Sequence, residues 1–251
     1  QLFRNRVNSR INDLRAYTIN LFHCRVVRRI RQNLTEACWE HEERVHFSQG
    51  HAPSFTRALM VLQEKMLLAS LCLPGDPFED EGILGLATAR RRKPEGIRLN
   101  LHHTKGEVLV RQAQLGFSGA YRSAFTNALH LLDPVNGHPV EDSKRWGSVD
   151  AIFQGIDDFK QLADVVTSLI DGLLRDRNRN ELTLAQLESN ALPELYRKCF
   201  GSKNTLASRF AGFWNETLKL DQDATTSLWD AVAQDGRVEP KALFHAALAD
   251  P

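Results

Sequence analysis

The chain is poor in the features that usually announce a function. Its four cysteines, Cys24, Cys38, Cys72 and Cys199, show no C-x-x-C spacing. A disulfide scaffold and a zinc ribbon are therefore excluded as readings, and a reducing, cytoplasmic setting is expected. No uninterrupted apolar run reaches the roughly 18 residues that cross a bilayer, and no apolar signal segment opens the chain, so no membrane association is expected. Neither sign of charge prevails. With 32 Lys and Arg against 31 Asp and Glu the net charge is +1, which removes any global argument for a polyanionic partner and leaves only local ones. The motifs G-x-x-x-x-G-K-[ST], G-x-G-x-x-G after a strand, G-x-S-x-G and H-E-x-x-H are all missing. No catalytic residue, cofactor or metal is assigned on sequence grounds.

Metal binding has one sequence candidate, Cys38, His41, His46 and His51, crowded within a short stretch. Imidazole and thiolate suit zinc. On a helix, however, His41 and His46 lie five residues and about 140° apart, not stacked four apart on one face.

What the chain does contain is helical periodicity. Its 251 residues are 42% hydrophobic, enough for a sizeable core, and the apolar positions recur mainly at spacings of three and four. Ile11, Leu14, Tyr17, Leu21, Val27 and Ile30 mark a first helix with many arginines between them. Phe55, Leu59, Leu62 and Met66 mark a second, stopped at Pro74-Gly75-Asp76-Pro77. A longer helix runs from Val149 to Leu174, with Ser148 or Asp150 as its cap and Ile152, Phe159, Ala163, Val166, Ile170 and Leu173 on one face. Short helices follow, one begun by Thr183, one begun by Pro193 and stopped at Gly201, and one through Phe210 and Trp214. The fold class expected is mainly α and multi-helical, with one small β-hairpin.

The hairpin comes from a change of period. Ile97, Leu99 and Leu101 alternate with Arg98, Asn100 and His102, as in a half-buried strand. Ile83, Leu84 and Leu86 form its expected antiparallel partner, and the connection between them carries Arg90, Arg91, Arg92 and Lys93. Just beyond, Glu107 to Leu115, Gly116-Phe117-Ser118 and Gly119 to Leu132 resemble a helix-turn-helix. Gly116 supplies a position tolerant of positive φ, and Ser118 caps the second helix. Two positions depart from that pattern. Gln112 stands where a small residue is usual, and Arg122 where an apolar one is usual.

Together the hairpin and helix pair suggest a winged helix-turn-helix over about residues 82–133. Such a unit binds DNA rather than RNA, with Arg122 reading guanine beside Ser118, Ser123 and Thr126, and with Arg90, Arg91, Arg92, Lys93 and Arg98 on phosphate. The arginine-rich first helix adds a third basic element. The expected organisation is a helical domain over 1–135, a linker over 136–147 and a second helical domain over 148–251. The expected function is a non-catalytic nucleic-acid-binding protein, or a subunit of a larger nucleic-acid complex. The alternative is a helical scaffold that docks protein partners through its apolar helices, without nucleic-acid contact.

Overall fold

The structure is a computed structural model that describes residues 14–33, 55–76, 78, 83–101, 108, 121–122, 124–134, 139–140, 143–176, 178–201, 210, 212–214 and 216–217. Over these residues the protein is mostly helical with one two-stranded antiparallel sheet.

Helix α1 (Leu14–Gln32) forms where the three-four spacing places it. It is far more enclosed than an amphipathic surface helix. Tyr17, Leu21, Phe22 and Val27 have no exposure, and the polar residues Arg15, Thr18, Asn20 and His23 are buried with them. Helix α2 (Phe55–Cys72) packs against α1 and is enclosed in the same way, with Leu59, Leu62 and Met66 buried beside Gln63 and Lys65.

The sequence between these helices and the middle of the chain departs from the expected hairpin. Leu86–Arg92 is a helix, α3, not a strand, and its Leu86 and Ala89 are buried one turn apart. The segment LATARRR consists largely of strong helix formers, and its two buried residues at a spacing of three are enough to hold one short helix on α2. A 3-10 turn (Pro94–Gly96) comes next. The strand itself is present but short. Strand β1 (Leu99–Asn100) pairs antiparallel with β2 (Glu181–Leu182), Leu99 opposite Leu182 and Asn100 opposite Glu181. The partner thus comes from far along the chain and not from Ile83 to Leu86, so among the described residues the expected local hairpin is not formed. The period-two reading of the side chains holds at Ile97, Leu99 and Leu101, which are buried, and at Arg98, which is exposed. Asn100 is the exception, buried because its Oδ1 accepts from Lys65 Nζ at 3.1 Å.

Residues 109–120, and with them Gly116 and the turn of the expected helix-turn-helix, lie outside the described residues. Further along, Ala124–Ala128 forms one π-helical turn, closed by Leu129 N–H donating to Ala124 O at 2.9 Å. Tyr121, Phe125 and Leu129 are buried, as their spacing requires.

The long helix expected from Val149 to Leu174 is two helices, α4 (Arg145–Gln154) and α5 (Asp157–Arg175), joined at Gly155 and an extended Ile156. The break has a packing reason. On one continuous helix Phe153 and Phe159 would sit about 120° apart around the axis. The turn instead brings their ring centroids to 5.1 Å, edge to face. Asp157 and Asp158 in the first turn of α5 suit the positive end of its dipole. Helix α4 also begins inside the expected linker, where Trp146 is buried and donates to Val140 O at 2.9 Å. Helix α6 (Leu184–Ser189) opens with a capping box between Thr183 and Gln186, and α7 (Leu192–Phe200) opens with Pro193 in its first turn and ends at Gly201.

The core is shared across the chain. Phe22 of α1, Phe153 of α4, Phe159 of α5, Phe200 of α7 and Phe210 form one cluster of aromatic rings. Phe22 lies 5.7 Å from Phe153 and 5.8 Å from Phe200, and Phe153 lies 5.3 Å from Phe210. Residues on both sides of positions 136–147 belong to a single hydrophobic cluster. Replacing Phe22 by Ala removes the ring at the cluster's centre, and a loss of about 3–5 kcal/mol in unfolding free energy is expected from urea titration.

Candidate functional site

The basic run falls at one sharp bend. Arg90, Arg91 and Arg92 occupy the last turn of α3, where the unpaired carbonyls carry partial negative charge and favour cations. Lys93 takes a left-handed backbone, φ 62°, and its N–H donates to Arg90 O, after which Pro94 starts the 3-10 turn. All four side chains are exposed. Arg91 Nη2 donates to Thr88 Oγ1 at 3.4 Å, along the helix and not toward the core. Arg98 does not join this group. Its guanidinium pairs with Glu181 at 3.1 Å across the β1–β2 sheet, with both side chains about half exposed.

The residues expected to read bases are not gathered on one exposed face. Arg122 Nη2 donates to Pro134 O at 2.8 Å and so ties the π-helical turn to the loop behind it. Burial first, and then the charge of Arg122, hold the Arg57 guanidinium below its ordinary pKa, so two cations stand near each other here. Thr126 is 9% exposed, and its hydroxyl has no hydrogen-bond partner. Ser118 and Ser123 lie outside the described residues.

Arg15, Arg25, Arg28 and Arg29 of α1 have partners within the molecule, Arg29 at an exposed position. Arg25 Nε and Arg28 Nη1 converge on Asp150 of α4 at 2.6 and 3.2 Å, and Arg29 Nη1 meets Asp164 of α5 at 2.6 Å. Arg28 also lies over the Trp146 ring at 5.0 Å, and Arg25 over Phe153 at 5.8 Å. These are cation–π geometries, strengthened by partial burial. Arg15 is buried and donates to Phe200 O at 3.2 Å. Arg4, Arg6 and Arg10 lie outside the described residues, as do Cys38, His41, His46 and His51. Among the described residues no three His, Cys, Asp or Glu side chains are grouped to hold a metal ion, and no helix is long and apolar enough to cross a membrane.

Buried polar groups are concentrated in the interior, where periodicity gave no sign of them. Arg197 on α7 is 8% exposed and donates from Nη2 to Ser70 O and Leu73 O, closing the C-terminal end of α2. Gly75 passes so close to this guanidinium that an added Cβ would require the Arg197 side chain to shift. On α1, His23 has no exposure. Its Nε2 faces Tyr196 Oη at 3.4 Å, and its backbone carbonyl accepts from Gln63 Nε2 at 3.2 Å. Burial lowers the His23 pKa from the ordinary 6.5 to about 3, so the ring is neutral. The same burial pushes the Tyr196 hydroxyl well up, with Cys199 adding to the shift, and keeps its proton in place. A histidine sharing α1 with aliphatic neighbours carries no motif, and only its position three after Asn20 on one helix face marks it in the sequence.

No family model, no curated protein and no solved structure matches this chain.

Asp150→Asn releases two partly buried arginines and is expected to cost about 1–3 kcal/mol, whereas Asp164→Asn, at an exposed pair, should stay within about 1 kcal/mol. Urea unfolding of the two variants side by side checks the difference. For His23, whose folded pKa lies below its unfolded one, the unfolded chain takes up the proton first. The stability it contributes is fully present above about pH 6.5 and is lost as pH falls toward 3. Between these limits the wild-type slope should exceed that of His23→Gln by up to about 1.4 kcal/mol per pH unit, measured by chemical denaturation across pH.

Proposed function

We propose that the protein is a non-catalytic nucleic-acid-binding protein, or a subunit of a nucleic-acid complex, that holds the phosphate backbone of duplex DNA through Arg90, Arg91, Arg92 and Lys93. The observation that carries this reading is the presentation of four consecutive exposed cations at the bend between α3 and the following 3-10 turn. A run of guanidinium groups at a helix end offers forked donors to successive phosphate oxygens. Contacts of this kind position a protein on DNA without reading its sequence. The Arg57–Arg122 pair adds positive potential at a second place. The helical scaffold reading draws less support. The apolar faces of α4, α5 and α7 are consumed in the shared core, and Leu84, at 44% exposure, is the exposed large hydrophobic side chain among the described residues.

Four phosphate contacts imply that the logarithm of the association constant falls against the logarithm of salt with a slope of about −3 to −4. Fluorescence anisotropy with a labelled duplex measures it. Replacing Arg90, Arg91, Arg92 and Lys93 together by Gln should bring the slope close to zero while leaving the unfolding midpoint unchanged. Different duplex sequences should bind alike, and Arg122→Gln should leave the slope within one unit of wild type. A salt-independent interaction, or none with duplex DNA or RNA at low salt, defeats the proposal.

A further inference from the structure

Lys93, at the apex of the basic bend, stands in a backbone conformation that side chains rarely take. Its φ is 62° and its ψ 156°, in a region that belongs almost wholly to glycine. Two local demands meet there. Helix α3 ends by a reversal of φ, a common way for a helix to stop and one that usually falls on glycine. The next residue is Pro94, whose ring disfavours a helical ψ in the residue before it and drives that ψ toward about 120–160°. Positive φ with extended ψ is what the two demands leave. The bend is fixed on both sides, by Lys93 N–H donating to Arg90 O at 3.4 Å and by Lys93 O accepting from Gly96 N–H at 3.1 Å.

A glycine would meet these demands at little cost, and the chain places one at the other end of the same helix, where Gly85 takes φ 90°. Ala191, which opens α7, also has a positive φ of 52°, but its ψ is 26°, close to the milder left-handed region. Lysine at position 93 thus stands against the local preference, and no contact inside the protein accounts for it. Its side chain is exposed, and among the described residues no hydrogen bond or ion pair engages its ammonium. The arginines of the run differ in this respect. Arg91 donates to Thr88 Oγ1, and Arg90 and Arg92 have interactions of their own within the protein. Strain that persists without a structural return points to a function for the side chain.

We propose that Lys93 is the principal phosphate contact of the basic bend, a free ammonium held at the apex of a strained turn, and that the fold gives up stability to keep it there. This role rests on the bend being a duplex-DNA contact. An ammonium with no internal partner meets a phosphate oxygen without first breaking another bond, whereas Arg91 must leave Thr88. A compact charge on a flexible stem also suits contact without sequence reading, because it needs no planar alignment.

The test pairs thermal unfolding with fluorescence anisotropy on a labelled duplex at low salt, for the full chain and for variants at Lys93 and Arg91. Lys93→Gly removes the strain and the charge together. Its Tm should rise by about 2–4 °C, because relief of the strain outweighs the extra freedom that glycine gains in the unfolded chain, while affinity falls on the order of tenfold. Lys93→Gln removes the charge alone and should lose the same affinity with a Tm within about 1 °C of wild type. Arg91→Gln should lose less than about threefold. An unchanged or lowered Tm in Lys93→Gly overturns the strain, and equal losses in Lys93→Gln and Arg91→Gln overturn the primacy of Lys93, in either case with the DNA reading intact. A wild-type chain that shows no salt-dependent binding to duplex DNA defeats that reading, and the role of Lys93 with it.

Discussion

The fold depends on the enclosure of α1. A helix with arginines at five of its positions is placed against α2, α4 and α5, with Phe22 among four other phenylalanines. That placement is possible only because the cations along it have somewhere to go. Arg25 and Arg28 reach Asp150, Arg29 reaches Asp164, and Arg15 reaches a helix-terminal carbonyl. Burial of an unmatched guanidinium costs several kcal/mol, so Asp150 constrains where α4 can sit, whereas the exposed Arg29–Asp164 pair adds little. The ring cluster and the ion pairs constrain the same helix from the same side. Arg25 contributes to both, lying over Phe153 while pairing with Asp150.

A second consequence of the same enclosure is polar. When a helix has no solvent face, its Thr, Asn and His residues must find partners inside. Thr18 accepts from Trp214 Nε1 at 2.9 Å, and Gln63 reaches the His23 carbonyl. Lys65 pins Asn100 and with it β1, so the small sheet is held to α2 by a buried bond in addition to its own pairing. Buried polar groups of this kind fix one arrangement of helices over others, because any slip leaves several of them unmatched at once. The matching is incomplete, since Asn20 Oδ1, His23 Nδ1 and Gln63 Oε1 are buried without a hydrogen-bond partner.

Much of the helical framework was legible in the sequence, and the reasons for the rest are specific. The spacing of Tyr17, Leu21 and Val27 gives α1, Pro74-Gly75 gives the end of α2, and Thr183, Pro193 and Gly201 give the short helices near β2, because caps, turns and periodicity are local. The partner of β1 was not legible, since pairing between Leu99 and Leu182 is a tertiary fact and nothing nearby excludes a strand at Ile83 to Leu86. The break at Gly155 hides within an apolar pattern that continues on both sides of it. Of the residues expected to contact nucleic acid, Arg90 to Lys93 stand exposed together, whereas Arg98 is paired with Glu181, Arg122 is bonded to Pro134 and Thr126 is buried. Charge is visible in sequence, but the acid or carbonyl that engages it is not. His23 and Asn20 carry no motif at all, and only the burial of their whole helix makes them notable.

The claim on which the rest turns is that α1 is the centre of the core and not a basic surface helix. Native-state hydrogen exchange on the free protein measures this most directly. The amides of residues 18–30 should be among the slowest in the chain, opening only with global unfolding and at least as protected as those of α5 and α7. Exchange of the α1 amides by local opening, well ahead of α5, would contradict the account.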